Sequence, residues 1–488
     1  MTSQVHAAHR TASLMLPAVP DFARVFTRVA RERLPAVLDS AGGPESLAGL
    51  TILAFDPFRV LVHAEGRTWR TDLDGCRTEI GGNPLAALRV ELVRTHVGPA
   101  RPGTPLQGGA VIGFLGYEMG RHVERLPATT RRDILLPDMY WAFYDSLMLL
   151  DQRTGGAEIH TTNFGGRDSD WLLNRWRPVV EDALRGPAHE TVTDQPPTGA
   201  ALAFDDLEAN FSAAGYRQAV GRAIEYIAAG DIFQANLSQR FTTPLACSPA
   251  ELYLRLRRAN PAPFAAYLAC DEPGRFGSPN RWAVLSSSPE RFLQVIDGRV
   301  ATRPIKGTRP RRAGDETLNA RSRAELLASK KDAAELAMIV DLERNDLGRV
   351  CSFGTVKVTE PRTVEEYASV YHTAAQVEGR LHHGCDLVDL LKATFPGGSI
   401  TGAPKIRAMQ IIDELEPTAR SVYTGAIGHI GFDGQMDLNI AIRTLLVDGD
   451  RVHLQVGGGI VADSTPEDEY QETLAKARSL LEALGCGL

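Results

Sequence analysis

Several groups of residues in this chain have the types and spacing that chemistry uses. Lys306 stands in Arg303-Pro-Ile-Lys-Gly-Thr308, after the β-favouring run Val300, Ala301, Thr302. Pro304 holds the backbone extended and Gly307 permits a steep turn just past the lysine. The stretch reads as an amine delivered from a strand end into a bend, although a solvated loop lysine has the same look. Glu335, in Ala333-Ala-Glu-Leu-Ala-Met-Ile-Val340, is a carboxylate among residues that a helix packs inward. Burying a lone carboxylate is costly, so it is protonated, paired with a cation such as Arg344, or bound to a metal. Glu469 and Glu472 lie three apart on one helical face, a spacing common to solvated stripes and metal sites. Together the three carboxylates would suit Mg²⁺, a hard cation that takes oxygen ligands. Arg443 interrupts the strand-like run Asn439–Leu446, where a guanidinium fits bidentate carboxylate recognition or a structural ion pair. Gly457-Gly-Gly459, expected at a strand end, is either a flexible turn or a set of unhindered N–H groups facing an anion.

The elements that must position these residues can be read from pattern. Residues 1–20 read as a loose arm. Strand-like runs follow: Thr51–Phe55 before the Asp56-Pro57 turn, the glycine-studded Gly108–Tyr117, then Met139–Tyr144 and Leu147–Leu150. A helix is expected over Asp170–Leu184, and the Pro-rich Gly186–Ala200 is the natural linker. Beyond it, Tyr216, Val220, Ala223, Ile224 and Ile227 share one helical face, with Gly230 where a C-terminal cap belongs. Strands are expected at Gln234–Phe241, Trp282–Leu285, Gly425–Ile430 and Met436–Val447. A long helix covers about Ala320 to Leu347, and the Gly/Pro loop Phe395–Pro404 leads into another, with Pro404 suited to its first turn. An amphipathic helix, Pro466–Leu484, closes the chain. Strands and helices without a regular βαβ rhythm indicate an α+β fold.

Bulk properties narrow the class. At 488 residues the chain exceeds one small core, and 43% hydrophobic with 23% charged residues is ordinary for a soluble globular protein. A net charge of −7 argues against a nucleic-acid partner. The six cysteines are scattered without a CxxC pair, which suggests neither disulfide framework nor thiolate zinc site, and a reducing compartment. The brief apolar stretch Leu14–Val19 is broken by Pro17, and no run reaches transmembrane length, so a cytoplasmic protein with no membrane partner is expected.

Longer strings carry a resemblance. Gly230-Asp-Ile-Phe-Gln234, Leu237-Ser-Gln-Arg-Phe241, Ser287-Ser-Pro-Glu-Arg-Phe292, Met338-Ile-Val-Asp-Leu342, Arg344-Asn-Asp346, Phe395–Lys405 and Gly459-Ile-Val-Ala-Asp-Ser464 are ordered and spread over residues 213–485. In these the second half resembles the chorismate-utilising enzymes: anthranilate synthase and aminodeoxychorismate synthase components I, and the isochorismate and salicylate synthases. The first half resembles their N-terminal lobe more loosely, through Phe55-Asp-Pro57 and Gly113-Phe-Leu-Gly-Tyr117. The resemblance implies a two-lobed anthranilate synthase component I-like fold, with antiparallel sheets packed in a sandwich and helices outside. It divides the chain into an N-terminal lobe (20–185), a linker (186–205) and a catalytic domain (206–486).

It also implies roles. Glu335, Glu469 and Glu472 would form the Mg²⁺ site that holds the ring carboxylate of chorismate. Tyr423, Arg443 and the backbone of Gly457, Gly458 and Gly459 would hold the other carboxylate. Gly307, Thr308 and His372 would line the pocket. Glu290 is similar to the general acid that helps the ring hydroxyl depart; an allylic alcohol is a poor leaving group and needs such a donor. Lys306 separates family members: anthranilate synthases have a small residue there, whereas aminodeoxychorismate synthases carry this Pro-Ile-Lys-Gly-Thr string. Their lysine attacks C2 or acts as general base, and either role needs the neutral amine. No Gly-x-Cys-x-Gly turn of a glutaminase is present, so ammonia is expected from a separate glutamine amidotransferase subunit. Val37-Leu-Asp-Ser-Ala41 and Asn260-Pro-Ala-Pro-Phe264 resemble the family's tryptophan pocket. Asp39 stands where Glu is usual, which speaks against tryptophan feedback and leaves a bound structural tryptophan open.

Overall fold

The computed structural model describes residues 11–44, 46–47, 49–98, 106, 108–184 and 202–487. Among them, two twelve-stranded antiparallel sheets pack face to face with helices on their outer sides. The local reason is visible in Met139–Tyr144. Met139, Trp141 and Phe143 face the helices over one sheet, while Tyr140, Ala142 and Tyr144 face the second sheet. Both faces of the strand are covered, so the period-2 alternation is apolar throughout. The outer core of that sheet is closed by Lys330–Gly348, Leu387–Thr394 and Lys405–Leu415. The outer core of the other is closed by Phe22–Val29, Ser169–Leu184, Pro249–Ala259 and Pro466–Ala483. This is the α+β sandwich expected from the sequence.

Both sheets run through both halves of the chain. Ala36–Asp39 pairs with Phe264–Cys270 in one sheet, and Ala110–Leu115 pairs with Ala426–Gly431 in the other. The close approach expected of the 108–117 glycines is real: a Cβ on Gly113 would stand 1.9 Å from the Tyr140 carbonyl oxygen. Of the expected 186–205 linker, residues up to 201 lie outside those described, and Leu202–Ala203 pairs in parallel with Cys486–Gly487. Among the described residues no helix is long and apolar enough to cross a membrane.

Four expectations need correction. Thr11–Met15 is not part of a loose arm but an edge strand on Gly156–Thr162; residues 1–10 lie outside those described. The expected helix over 320–347 is two, Glu316–Ala328 and Lys330–Gly348, because Ser329 is extended and its hydroxyl caps the second by accepting from the Asp332 N–H at 3.2 Å. The expected Met436–Val447 strand is also two. Met436–Ile440 belongs to one sheet and Thr444–Asp448 to the other, so Arg443 lies not in a strand but where the chain crosses between sheets, with φ +52°. Finally, Gly457–Gly459 is not at a strand end but inside Arg451–Ile460, paired with Ser238, Leu237 and Asn236.

Candidate active site

Lys306 is set by a register irregularity. After Pro304, the Ile305–Pro310 strand pairs with Val370–Arg380 so that Lys306 faces Thr373 and Thr308 faces His372. Gly307 is the extra residue, a bulge at φ +68°. A Cβ there would meet Leu326 Cδ1 at 2.8 Å and Asp332 Cγ at 2.9 Å, so both conformation and space require glycine. The Thr373 hydroxyl donates to the Lys306 carbonyl at 2.6 Å and fixes the backbone on the other side. The lysine charge pulls down the proton affinity of Glu290, Glu335 and Glu472, which locates the amine among all three.

Glu290 lies two residues past the Trp282–Ser288 strand and is 3% exposed. Burial pushes its carboxyl up to about 7; Ser399, Lys306 and the Ile305 N–H act in the opposite direction. Its Oε1 has no hydrogen-bond partner. A carboxyl protonated near neutral pH, with one oxygen unclaimed, is the state a proton donor needs.

The acidic cluster is assembled from two helices. Glu335, on Lys330–Gly348, is raised chiefly by burial, and its nearest cation is Lys331 at 3.9 Å; Arg344 is taken by Asp341 instead. Glu469 and Glu472 come from Pro466–Ala483. Glu469 Oε1 accepts from the Ser464 hydroxyl at 2.6 Å, whereas its buried Oε2 has no partner. Glu472 is held below the usual range by Lys476, which donates to it at 2.5 Å. Among the described residues no three acidic, histidine or cysteine side chains converge closely enough to bind a metal as they stand. The donors nevertheless fit a hard cation: all are carboxylates, one oxygen is orphaned, and Gly458 leaves room beside them.

Arg443 is half-buried where the chain changes sheets, and Tyr423 and Glu472 stand close enough to act on it electrostatically. Its guanidinium donates to the Lys476 carbonyl at 2.5 Å. Tyr423 is buried, which raises its phenol. His372 is buried too, pushed down to about 4 and so neutral; its Nδ1 lies 2.9 Å from the Gly307 carbonyl oxygen and must carry the proton donated there. Thr308 is exposed and reaches the same nitrogen at 3.2 Å. The triple glycine works through a sheet edge. Thr444–Asp448 pairs with the neighbouring strand only up to Leu454, so beyond that residue this edge of the strand is unpaired. The Gly457 carbonyl points out along that edge to Lys476 Nζ, 3.0 Å away, which puts the Gly457 and Gly459 N–H groups on the same side.

Two residues escaped sequence reasoning. Lys476 ties Glu472, Gly457 and Arg443 together; its i+4 spacing from Glu472 was the available signal. Gln234 is fully buried against Gly459 with both amide ends unpartnered. It ends the Gly230–Gln234 string, where nothing marked it off from its neighbours. Elsewhere, the Asp39–Ala265 pairing brings Leu38, Asp39 and Ser40 beside Pro263 and Phe264 in a cavity of ≈ 360 Å³. Asp39 itself is engaged by Arg257 at 2.6 Å and Thr51 at 3.0 Å.

The profile of the chorismate binding enzymes matches residues 37–482. The chain is 42% identical to anthranilate synthase component 1 of Streptomyces coelicolor over 408 residues, 83% of this chain and 78% of that one. It is 35% identical to aminodeoxychorismate synthase component 1 of Bacillus subtilis over 488 residues, 98% of each chain. The crystal structure of anthranilate synthase component I from Streptococcus pneumoniae superposes with a TM-score of 0.74 at 34% identity, covering 89% of this chain and 92% of that one.

Proposed function

This chain belongs to the chorismate binding enzymes, and from that membership we propose that it is the large subunit of an aminodeoxychorismate synthase, aminating chorismate at C4. The observation that carries the reading is Lys306, held at a glycine bulge with its charge felt by Glu290, Glu335 and Glu472. Relatives of both the anthranilate and aminodeoxychorismate kinds are similar to most of the chain, 83% and 98% of it, so the lysine is what favours the second reaction.

In this reading Arg443, Tyr423 and the unpaired edge at Gly457–Gly459 hold one substrate carboxylate. Glu335, Glu469 and Glu472 would hold Mg²⁺, which when bound would offset the charge of the ring carboxylate. Neutral Lys306 attacks C2, both ring double bonds shift, and the C4 hydroxyl leaves as water with the proton of Glu290. Ammonia then attacks C4, both double bonds shift back, the lysine amine is expelled, and the new C4 ammonium returns a proton to Glu290. The product is 4-amino-4-deoxychorismate, a precursor of 4-aminobenzoate and folate. A separate glutamine amidotransferase supplies the ammonia, and the assembly works in the cytoplasm. The ≈ 360 Å³ cavity beside Asp39 takes a structural tryptophan.

The test is product identity after incubation with chorismate, Mg²⁺ and ammonium. 4-Amino-4-deoxychorismate is expected; anthranilate or isochorismate would overturn the assignment.

A further inference from the structure

A buried phenol stands between the acid and the lysine of the proposed mechanism, and no step above uses it. Tyr367 follows the Lys357–Glu366 strand, in the turn that leads into Val370–Arg380, and its N–H donates to the Val370 carbonyl at 2.9 Å. Its hydroxyl reaches two acceptors, the Pro289 carbonyl at 3.1 Å and Glu365 Oε2 at 2.9 Å. The first belongs to the peptide that carries Glu290. The N–H of that peptide donates to the Ser288 hydroxyl at 3.3 Å, so the plane from which the acid projects is held on both edges. The second acceptor leads to Lys306. Glu365 Oε1 accepts from Arg303 Nε at 2.6 Å, and Arg303 also donates to Gln376 at 2.6 Å and Glu360 at 2.8 Å. Arg303 thus has all three nitrogens engaged, and only Pro304 and Ile305 separate it from the lysine. The Tyr367 ring meets His372 edge-on with centroids 5.2 Å apart, and His372 holds the Gly307 carbonyl just past the lysine.

We propose that Tyr367 is a positioning residue, whose hydroxyl fixes the aim of the Glu290 carboxyl relative to the Lys306 amine. The acid must reach the C4 hydroxyl while the amine closes on C2, so the two groups have to keep one spacing and one direction. They come from different segments: Glu290 lies past the end of Trp282–Ser288, and Lys306 belongs to Ile305–Pro310. The Ile305 N–H bonds the Glu290 carboxyl directly, but one bond leaves rotation free. The phenol adds a second tie further back, from the Pro289 peptide through Glu365 to Arg303. Two separated ties fix direction as well as distance. Tyr367, Glu365 and Arg303 are all buried, where water does not replace a lost bond, so the tie is stiff.

This inference rests on Glu290 being the proton donor, and the experiment separates the two. It measures chorismate consumption, which reads departure of the ring hydroxyl whichever carbon is aminated, with free ammonia and Mg²⁺ saturating and each variant at its pH optimum. Tyr367→Phe keeps the ring against His372 and is expected to lower kcat about tenfold, with KM and the calorimetric affinity for chorismate within about twofold. In a Glu290→Gln background no acid remains to be aimed, so the same substitution should change the residual rate, read with enzyme in excess, by less than about twofold. Glu365→Gln keeps an acceptor for the phenol but loosens Arg303; it is expected to lower kcat about threefold at unchanged KM and carries the test if Tyr367→Phe folds poorly. An unchanged kcat overturns the role of Tyr367. So does a fall in affinity as large as the fall in kcat, or an equal loss in both backgrounds, since either marks a merely structural tyrosine. A fully active Glu290→Gln overturns the donor assignment on which the role stands.

Discussion

Gly458 and Glu469 are neighbours across the site with no space to spare: a Cβ on the glycine would stand 2.9 Å from the orphaned Oε2 of the glutamate. The glycine therefore keeps open the volume in which a carboxylate-bound cation and a substrate would meet. In Gly458→Ala the methyl group enters that volume. The expected outcome is a loss of turnover of at least tenfold with a weakened Mg²⁺ titration, while circular dichroism is unchanged. Normal metal dependence in a well-folded variant would remove Gly458 from the site.

Lys306→Ala addresses the reaction itself. It removes the amine but leaves the bulge, since Gly307 supplies the φ of +68°. Formation of 4-amino-4-deoxychorismate is expected to fall at least a hundredfold, with chorismate affinity by calorimetry within a few fold. Mass spectrometry of quenched wild type should find a substrate adduct on the 303–309 peptide. Undiminished amination by Lys306→Ala would end the nucleophilic role.

The Glu290 carboxyl has opposite consequences for activity and stability. It donates only when protonated, so turnover declines as pH rises through about 7. Its folded pKa lies above that of an ordinary glutamate carboxyl, so the native state binds the proton more tightly than the unfolded chain. The cost to stability is absent below pH 4.5, grows as pH rises and is complete above 7, about 3 kcal/mol for a shift of this size. Glu290→Gln should accordingly be inactive yet melt higher than wild type at pH 8, with the gap closing by pH 5. Equal melting temperatures at both pH values would argue against a buried acid that gains its proton on folding.

Arg420 and Glu416 form a fully buried pair at 2.7 Å, and Arg420 also donates to the carbonyls of Asn236 and, at 3.1 Å, Ile400. It thereby fastens the loop bearing Ser399 to the strand opposite Gly457–Gly459. Arg420→Ala leaves the buried Glu416 without its counter-ion, held only by the Ser238 N–H and hydroxyl at 2.8 Å, and should cost about 3–5 kcal/mol in urea unfolding. A loss under about 1 kcal/mol would mean that water enters to solvate Glu416.

The residue types and their order already determined much of this protein. Apolar alternation at Met139–Tyr144, the helix from Ala213 capped past Ala229, and the face shared by Glu469 and Glu472 are local patterns, and each appears as read. The strings around Glu290 and Lys306 pointed to one pocket because catalytic groups are carried by short segments. Tertiary structure alone decided what depends on distant partners. An apolar run reads the same whether it stays in one sheet or crosses to another, so Arg443 looked like part of a strand until the sandwich separated Ile440 from Thr444. Gly457–Gly459 gained an open edge only because its neighbour stops pairing at Leu454. Glu343 is an unremarkable glutamate in sequence; folding buries it and brings the Thr302 hydroxyl to it, and the burial raises its carboxyl.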